Sequence, residues 1–379
     1  MIPALAVALL LLPGWVYLLA AALAVTRFAG GELPSAAERP AVSVLKPLHG
    51  AEPGLYENLG SFADQDYPQR QIVLGVNDPQ DGALDAARAL VRDFPDGEVA
   101  LVVDRRIRGS NRKISNLENM LPAARHDILV LADSDMRVDL HYLTAIMAPL
   151  SDPRTGVVTC LYKGVPTGGI WSELGAMHIN FGFLPSALVG QALGAGRGCF
   201  GATIALSRQT LERIGGLAPL RDELADDHRL GDAVRAQGLA VVLSGYLVEA
   251  RVSEPSLTAL WRHELRWART VRGITPAAYA GSIITHPLAV AVLAAAFTGF
   301  GLTSCGFVAI TYLLRWGCAG ATAAALGVAR GRLRLLPVRD GLSFAVFIAS
   351  FFGRRVFWRD EHFRVEASGR MTVDGDKVS

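Results

Sequence analysis

Charge is scarce in this chain. Of its 379 residues, 19% are Asp, Glu, Lys or Arg and 51% are hydrophobic, a more apolar balance than an ordinary soluble domain has. Such a composition is expected to place part of the chain in lipid. An excess of either sign is missing too, with 37 Lys and Arg against 35 Asp and Glu and a net charge of +2. That balance offers no electrostatic footprint for nucleic acid, and no RNA- or DNA-binding motif is present. Cysteine is rare: Cys160, Cys199, Cys305 and Cys318 show no metal-ligand spacing, and the last two fall in apolar segments. They read as reduced structural or locally reactive thiols, which excludes a disulfide framework.

The longest stretches without charge lie towards the two ends. No charged side chain occurs from Met1 to Thr26, so residues 1–28 are expected to form a transmembrane anchor, with Pro13-Gly14 as a tolerated interruption. A secretory signal would carry a basic segment before a shorter apolar core, which favours an uncleaved anchor with Arg27 and Arg39 on the cytoplasmic side. From Gly273 to Leu314 there is again no Lys, Arg, Asp or Glu. A break at Gly299-Phe300-Gly301 divides residues 285–328 into an expected hairpin of two spans, 285–303 and 306–328. Arg330, Arg332, Arg334 and Arg339 follow it and place both of its ends on the cytoplasmic side. The apolar part of 341–358 is short for a crossing and is followed by Arg354, Arg355 and Arg359. It reads as a re-entrant or interfacial segment, and 359–379 as a charged tail mobile at its end.

Between these ends, residues 40–272 alternate short β-like runs with helix-like ones. The pairs are Ala41–Leu45 with Leu55–Gln65, Gln71–Val76 with Ala83–Phe94, Val99–Val103 with Ser115–Leu121, and Ile128–Ala132 with Tyr142–Leu150. Alternation of this kind predicts an α/β domain, a mostly parallel sheet with helices on both faces, and binding groups at the carboxyl ends of its strands. Asp78 and Asp133 both fall at such ends.

Asp133-Ser134-Asp135 directly follows the apolar run Ile128-Leu129-Val130-Leu131-Ala132. Two carboxylates one residue apart there can seat a divalent cation that carries phosphates, although Asp is also common in turns because it hydrogen-bonds nearby backbone. Asn77-Asp78-Pro79 reads equally as a plain turn. Asp226-Asp227 precedes a helical stretch, where the pair serves either as N-cap and dipole partner or as a free general base. Trp261 to Arg269 carries two tryptophans and three arginines on an expected interfacial helix near 257–272. That set suits a lipid boundary, and it suits equally a cleft where a diphosphate meets an amphiphilic acceptor.

Taken in order, these motifs resemble the membrane-embedded inverting glycosyltransferases of the GT-A fold. The likeness is greatest to family 21, the lipid glucosylating branch that holds ceramide glucosyltransferases and bacterial hopanoid glycosyltransferases. It rests also on Val42-Ser43-Val44-Leu45-Lys46-Pro47-Leu48-His49-Gly50, Asp64-Gln65-Asp66-Tyr67-Pro68, Asn111-Arg112-Lys113-Ile114-Ser115-Asn116-Leu117 and Cys199-Phe200-Gly201-Ala202-Thr203, and it spans residues 41–275. The openings at Leu45 and His263 are more similar to the hopanoid group.

The resemblance implies a GT-A domain held between transmembrane helices, in a bacterial inner membrane with the catalytic side cytoplasmic. It implies that Asp78 contacts the uracil end of a UDP-sugar, that Lys113 and Asn116 line the nucleotide pocket, and that Asp133 and Asp135 hold Mg²⁺ or Mn²⁺ against the diphosphate. Asp227 would be the catalytic base supported by Asp226, with Arg266 and Trp267 closing the site around diphosphate and acceptor. The chemistry needs such groups: cationic groups neutralise the departing UDP, and a carboxylate takes the proton of an attacking alcohol. The first expectation is N-acetylglucosamine transfer to a hopanoid polyol, bacteriohopanetetrol, and the alternative is glucose transfer from UDP-glucose to ceramide or another lipid. A non-catalytic scaffold would be expected to have lost the carboxylates, and a polysaccharide synthase to have more spans. His263 departs from the Gln or Arg usual three positions before the Arg-Trp pair. Asp135 is present where ceramide-acting members tend to lack the second metal aspartate.

Overall fold

The structure, a computed structural model, describes residues 4–31, 33, 38–95, 98–194, 198–328, 332–353, 355–358, 361–365 and 371–373. The first half runs α1 (Ala4–Ala29), β1 (Val42–Leu48), α2 (Leu55–Ala63), β2 (Arg70–Val76), α3 (Ala83–Asp93), β3 (Val99–Val103), α4 (Arg112–Met120), β4 (Ile128–Leu131), β5 (Met136–Arg137), α5 (Tyr142–Leu150) and β6 (Thr155–Pro166). Then come α6 (Gly169–His178), a π-helical turn at Ile179–Phe183, α7 (Leu184–Ala192), β7 (Ile204–Ser207), α8 (Arg208–Arg213), α9 (Asp226–Ala236), β8 (Ala240–Val252) and α10 (Leu257–Ile274). The last part comprises α11 (Pro276–Gly281), α12 (Pro287–Phe297), α13 (Leu302–Leu326), α14 (Leu336–Ser350), β9 (Arg355–Trp358), β10 (Glu361–Val365) and β11 (Met371–Val373).

Strand β1 is buried along its whole length, and that is why its sequence is nearly continuous in apolar residues. It lies between β2 and β4, parallel to both, with Val42 opposite Arg70 on one side and Ile128 on the other. The sheet order is β3-β2-β1-β4-β7-β6-β8-β5. The expected parallel pairing holds for β3-β2-β1-β4 and for β6 with β8, whereas β7 and β5 run antiparallel to their neighbours. Successive side chains alternate between faces. Val44, Ile72 and Leu74 meet α2, α3 and α5 in one core, while Leu45 and Val73 meet α4, α8 and α9 in the other. In α3 the buried Ala83, Leu84, Ala87 and Leu90 recur at helical spacing, each Leu contributing about 1.5–3 kcal/mol by burial.

Among the described residues two single helices are long and apolar enough to cross a membrane: α1 with 26 residues and α13 with 25. They pack side by side, fastened by Trp15 Nε1 donating to Thr311 Oγ1 at 2.8 Å. Leu5, Leu9, Leu19 and Leu23 of α1 point outward and are exposed, as lipid contact requires. The expected first limb at 285–303 is not one helix. Pro287 starts a helix of only eleven residues, and the helical stretch before it, Pro276–Thr285, meets it at 72°. The break at Gly299-Phe300-Gly301 lies where expected, with Gly299 and Phe300 at positive φ.

The expected segment 341–358 begins inside a helix that runs from Leu336 to Ser350, and Arg339 is no surface charge, being 1% exposed. Within 359–379 the described residues 361–365 and 371–373 form β10 and β11, and β10 pairs antiparallel with β9 and β11. Arg330, Arg354 and Arg359, and the tail end at 374–379, lie outside the described residues.

Candidate active site

Three elements converge beyond the carboxyl end of β4. Helix α4 starts at Asn111, whose side-chain oxygen accepts from Ile114 N at 3.0 Å and so caps the helix. The same side chain donates to Glu223 O at 2.8 Å and to Asp226 Oδ1 at 3.3 Å, tying the start of α4 to the start of α9. Lys113, in the first turn of α4, thereby reaches both acidic motifs. Its Nζ lies 2.7 Å from Asp133 Oδ1 and 3.6 Å from Asp226 Oδ2. Burial opposes its charge, but Asp133 and Asp226 override that and hold Lys113 well above the ordinary lysine range. One ammonium thus joins the Asp-x-Asp to the acidic pair.

Asp226 and Asp227 occupy the first turn of α9, where acidic groups suit the helix dipole, while Ala225 occupies the N-cap and makes no side-chain cap bond. Asp226 is spent on Lys113 and Asn111. Asp227 accepts from Gly201 N at 3.0 Å on one oxygen and from His228 N at 2.7 Å on the other. Burial and the neighbouring Asp226 raise its carboxyl to about 6, with Lys113 opposing. Gly201 sits at the junction: a Cβ there would lie 3.2 Å from Lys113 Nζ, 3.3 Å from Asp133 Oδ2 and 3.5 Å from Asp227 Oδ2.

Below the Asp-x-Asp stands a lysine that the sequence reading did not single out. Lys46 is fully buried in β1, donates to Asp133 O at 2.5 Å and sits 3.6 Å above the Phe62 ring. Burial pushes it down to about 7 against the pull of Asp135 and Asp133. Asp135 is pushed up to about 8 by burial and by Asp133 and Glu52. Its signal was available, since one Lys interrupts the apolar run Val42-Ser43-Val44-Leu45-Lys46 and a charge there must find partners.

The other expected residues lie after β2, on α4 and on α10. Asp78 is exposed after β2, its carboxylate accepting from Gln80 N at 2.9 Å in an Asx turn. It lies beyond the carboxyl end of β2, two strands across from β4, and because Leu131 is level with Val73 across β1 it stands farther along the strand direction than Asp133. Asn116 is 1% exposed and its amide donates to Gly75 O at 2.8 Å, fastening α4 to β2. Arg266 and Trp267 lie on α10, capped by Ser256 through Ala259 N at 3.2 Å. Arg266 acts electrostatically on the Tyr162 hydroxyl together with Asp227, Asp135 and Asp133. Tyr162 therefore lies near both the carboxylates and Arg266, and it stacks on Phe183 at 5.0 Å. Trp267 is flanked by His263 at 4.3 Å and His178 at 6.3 Å between ring centroids. His263 is itself held by Glu254 at 2.6 Å. Cys199 is buried and burial raises its thiol, which makes it an inert packing residue.

No group of three or more His, Cys, Asp or Glu able to hold a metal occurs among the described residues. A cation here would take carboxylate oxygens from Asp133 and Asp135 and the rest of its ligands from phosphate and water, a donor set suited to Mg²⁺ or Mn²⁺.

The family model Glycosyl transferase family 21 matches residues 6–371. Ceramide glucosyltransferase 1 of Caenorhabditis elegans is 22% identical over 349 residues, 88% of this chain and 73% of that protein. Ceramide glucosyltransferase 3 of the same organism is 23% identical over 61% of this chain and 50% of its own length. The chain thus spans between half and three quarters of these relatives. Among solved structures, a mannosyltransferase from Pyrobaculum calidifontis in complex with GDP-Man and Mn²⁺ superposes with a TM-score of 0.54 at 19% identity, over 92% of this chain and 99% of that one. That likeness shows a shared glycosyltransferase fold of the GT-A kind.

Proposed function

The chain belongs to glycosyl transferase family 21, and on that premise we propose that it moves a sugar from a UDP-sugar to the hydroxyl of a membrane lipid, with inversion. The observation that carries this reading is Lys113, which holds Asp133 and Asp226 around one point while Asp227 stands beside it. The relatives shift the order of the two acceptor readings. Both are ceramide glucosyltransferases, so glucose transfer to a ceramide-like lipid comes ahead of N-acetylglucosamine transfer to a hopanoid polyol.

In this proposal Asp227 is the base. Each of its oxygens accepts one backbone N–H, which fixes the carboxylate and leaves lone pairs for the acceptor's proton. Its carboxyl, near 6, is ionised at neutral pH yet still basic enough to take that proton. Asp226 supports it by holding Lys113. Asp78 and Asp133, beyond the carboxyl ends of β2 and β4, bracket the base and diphosphate ends of the nucleotide, with Lys113 beside the diphosphate and Asn116 buttressing the wall. Asp133 and Asp135 would hold Mg²⁺ or Mn²⁺, which when bound supplies positive charge against the leaving diphosphate. Arg266 adds charge from the membrane side, and Trp267 gives the acceptor an apolar face. Helices α1 and α13 anchor the chain in the bilayer, with 40–272 on the cytoplasmic side of a bacterial inner membrane.

Incubating the purified chain in detergent with UDP-sugars, Mg²⁺ or Mn²⁺, and ceramide, hopanoid and diacylglycerol acceptors, followed by mass analysis, tests the reading. Glucosylceramide as the dominant product supports it, a hopanoid product reverses the order of acceptors, and a folded protein that transfers to none refutes it.

A further inference from the structure

Adjacent residues at the start of α14 grip two different parts of the molecule. Arg339 is 1% exposed, and its Nη1 and Nη2 donate to Glu264 Oε1 and Oε2, each at 2.7 Å. Nη1 also donates to Leu174 O of α6 at 3.1 Å, and Nε to Ser343 Oγ at 3.1 Å. Its neighbour Asp340 accepts from Arg315 of α13, Nε at 2.9 Å and Nη2 at 2.8 Å. Helix α14 is thus pinned at one side to a helix long enough to cross the membrane and at the other to α10. Further along, Arg272 of α10 donates to Gly353 O at 2.8 Å and Arg269 to Phe352 O at 2.6 Å, closing the far end of the same contact.

Glu264 stands two residues before Arg266 and three before Trp267, one turn away on the same helix. A buried bidentate ion pair holds a single geometry well, whereas an apolar pair of similar volume often stabilises as much without holding it. The pairing is therefore explained by placement better than by stability. The geometry points to α14 as a strut, with Glu264 and Arg339 as positioning residues that hold α10 so that Arg266 and Trp267 reach the bound sugar diphosphate and acceptor. This rests on the proposed roles of Arg266 and Trp267.

The test uses the full chain in detergent, with amide exchange by mass spectrometry beside steady-state kinetics. In Glu264→Met/Arg339→Leu, exchange over 257–274 should speed up about tenfold or more while the sheet stays protected. In the same protein kcat should fall about tenfold or more, with KM for the UDP-sugar moving less than about threefold. Arg339→Lys keeps the charge but loses the two-pronged grip, and it should show the same pattern more weakly, which decides the matter if the double variant does not fold. Folded variants with wild-type α10 exchange, or with wild-type kcat, overturn the strut. Arg266→Ala run alongside separates the two ideas: wild-type kcat in that variant refutes the role of Arg266 itself, and with it the claim that the strut serves the reaction.

Discussion

Replacing Asp227 by Asn separates catalysis from stability at one atom. The raised carboxyl of Asp227, from 3.8 to about 6, means that keeping it ionised at neutral pH costs the fold about 3 kcal/mol. The amide removes that cost. It also turns one acceptor into an NH₂ donor, which must face either Gly201 N or His228 N, now 3.0 and 2.7 Å from the two oxygens. A buried donor facing a donor costs about 1–3 kcal/mol. The two effects nearly cancel, so Asp227→Asn should melt within a few degrees of the parent while transfer falls about a hundredfold or more through loss of the base. Glycolipid formation by mass spectrometry and thermal unfolding by intrinsic fluorescence read the two quantities. Near-normal transfer would remove Asp227 from the chemistry, and a melting point lower by ten degrees or more would refute the electrostatic reasoning.

Stability and activity should also diverge with pH. Because the folded-state value of Asp227 is raised, protonation favours the fold, and its contribution is lost as pH climbs through about 6. The base needs the opposite form, so kcat/KM should rise over the same interval, and a flat profile between pH 5 and 7 would contradict the assignment. Chelation should stop turnover, Mg²⁺ or Mn²⁺ should restore it, and Asp133→Asn with Asp135→Asn should leave nothing to restore. Gly201→Ala places a methyl 3.2 Å from Lys113 Nζ and 3.3 Å from Asp133 Oδ2. It should lower kcat about tenfold while melting shifts little, as the contacts are side-chain ends that can yield. Asp340→Asn leaves Arg315, 8% exposed, without its counter-ion, and should destabilise the chain by about 3–5 kcal/mol in thermal or denaturant unfolding.

The sheet was legible where strands are buried on both faces, since β1, β2 and β4 then read as apolar runs. It was not legible at β5, two residues long, or at β7, whose four residues show no period. The acidic motifs were visible as candidates, but not what their carboxylates bind. Asp226 and Asp227 stood open between a helix-terminus role and a free base; they lie in the first turn of α9, and the further partners Asn111, Lys113 and Gly201 are distant in the chain. Arg339 read as one of a basic cluster following a membrane span. Its burial depends on Glu264, and no spacing rule connects residues 75 apart.

Local chemistry carried the alternation of elements from β1 to α5, the two long apolar helices, and the placing of carboxylates at strand ends, because burial and backbone preference act over a few residues. Folding alone decided which charges meet. Lys113 between Asp133 and Asp226, Lys46 beneath them, and the grip of α14 on α10 and α13 each join groups that only the packed chain brings within a few ångströms. Ion pairing and desolvation depend on that distance and on nothing in the order of the letters.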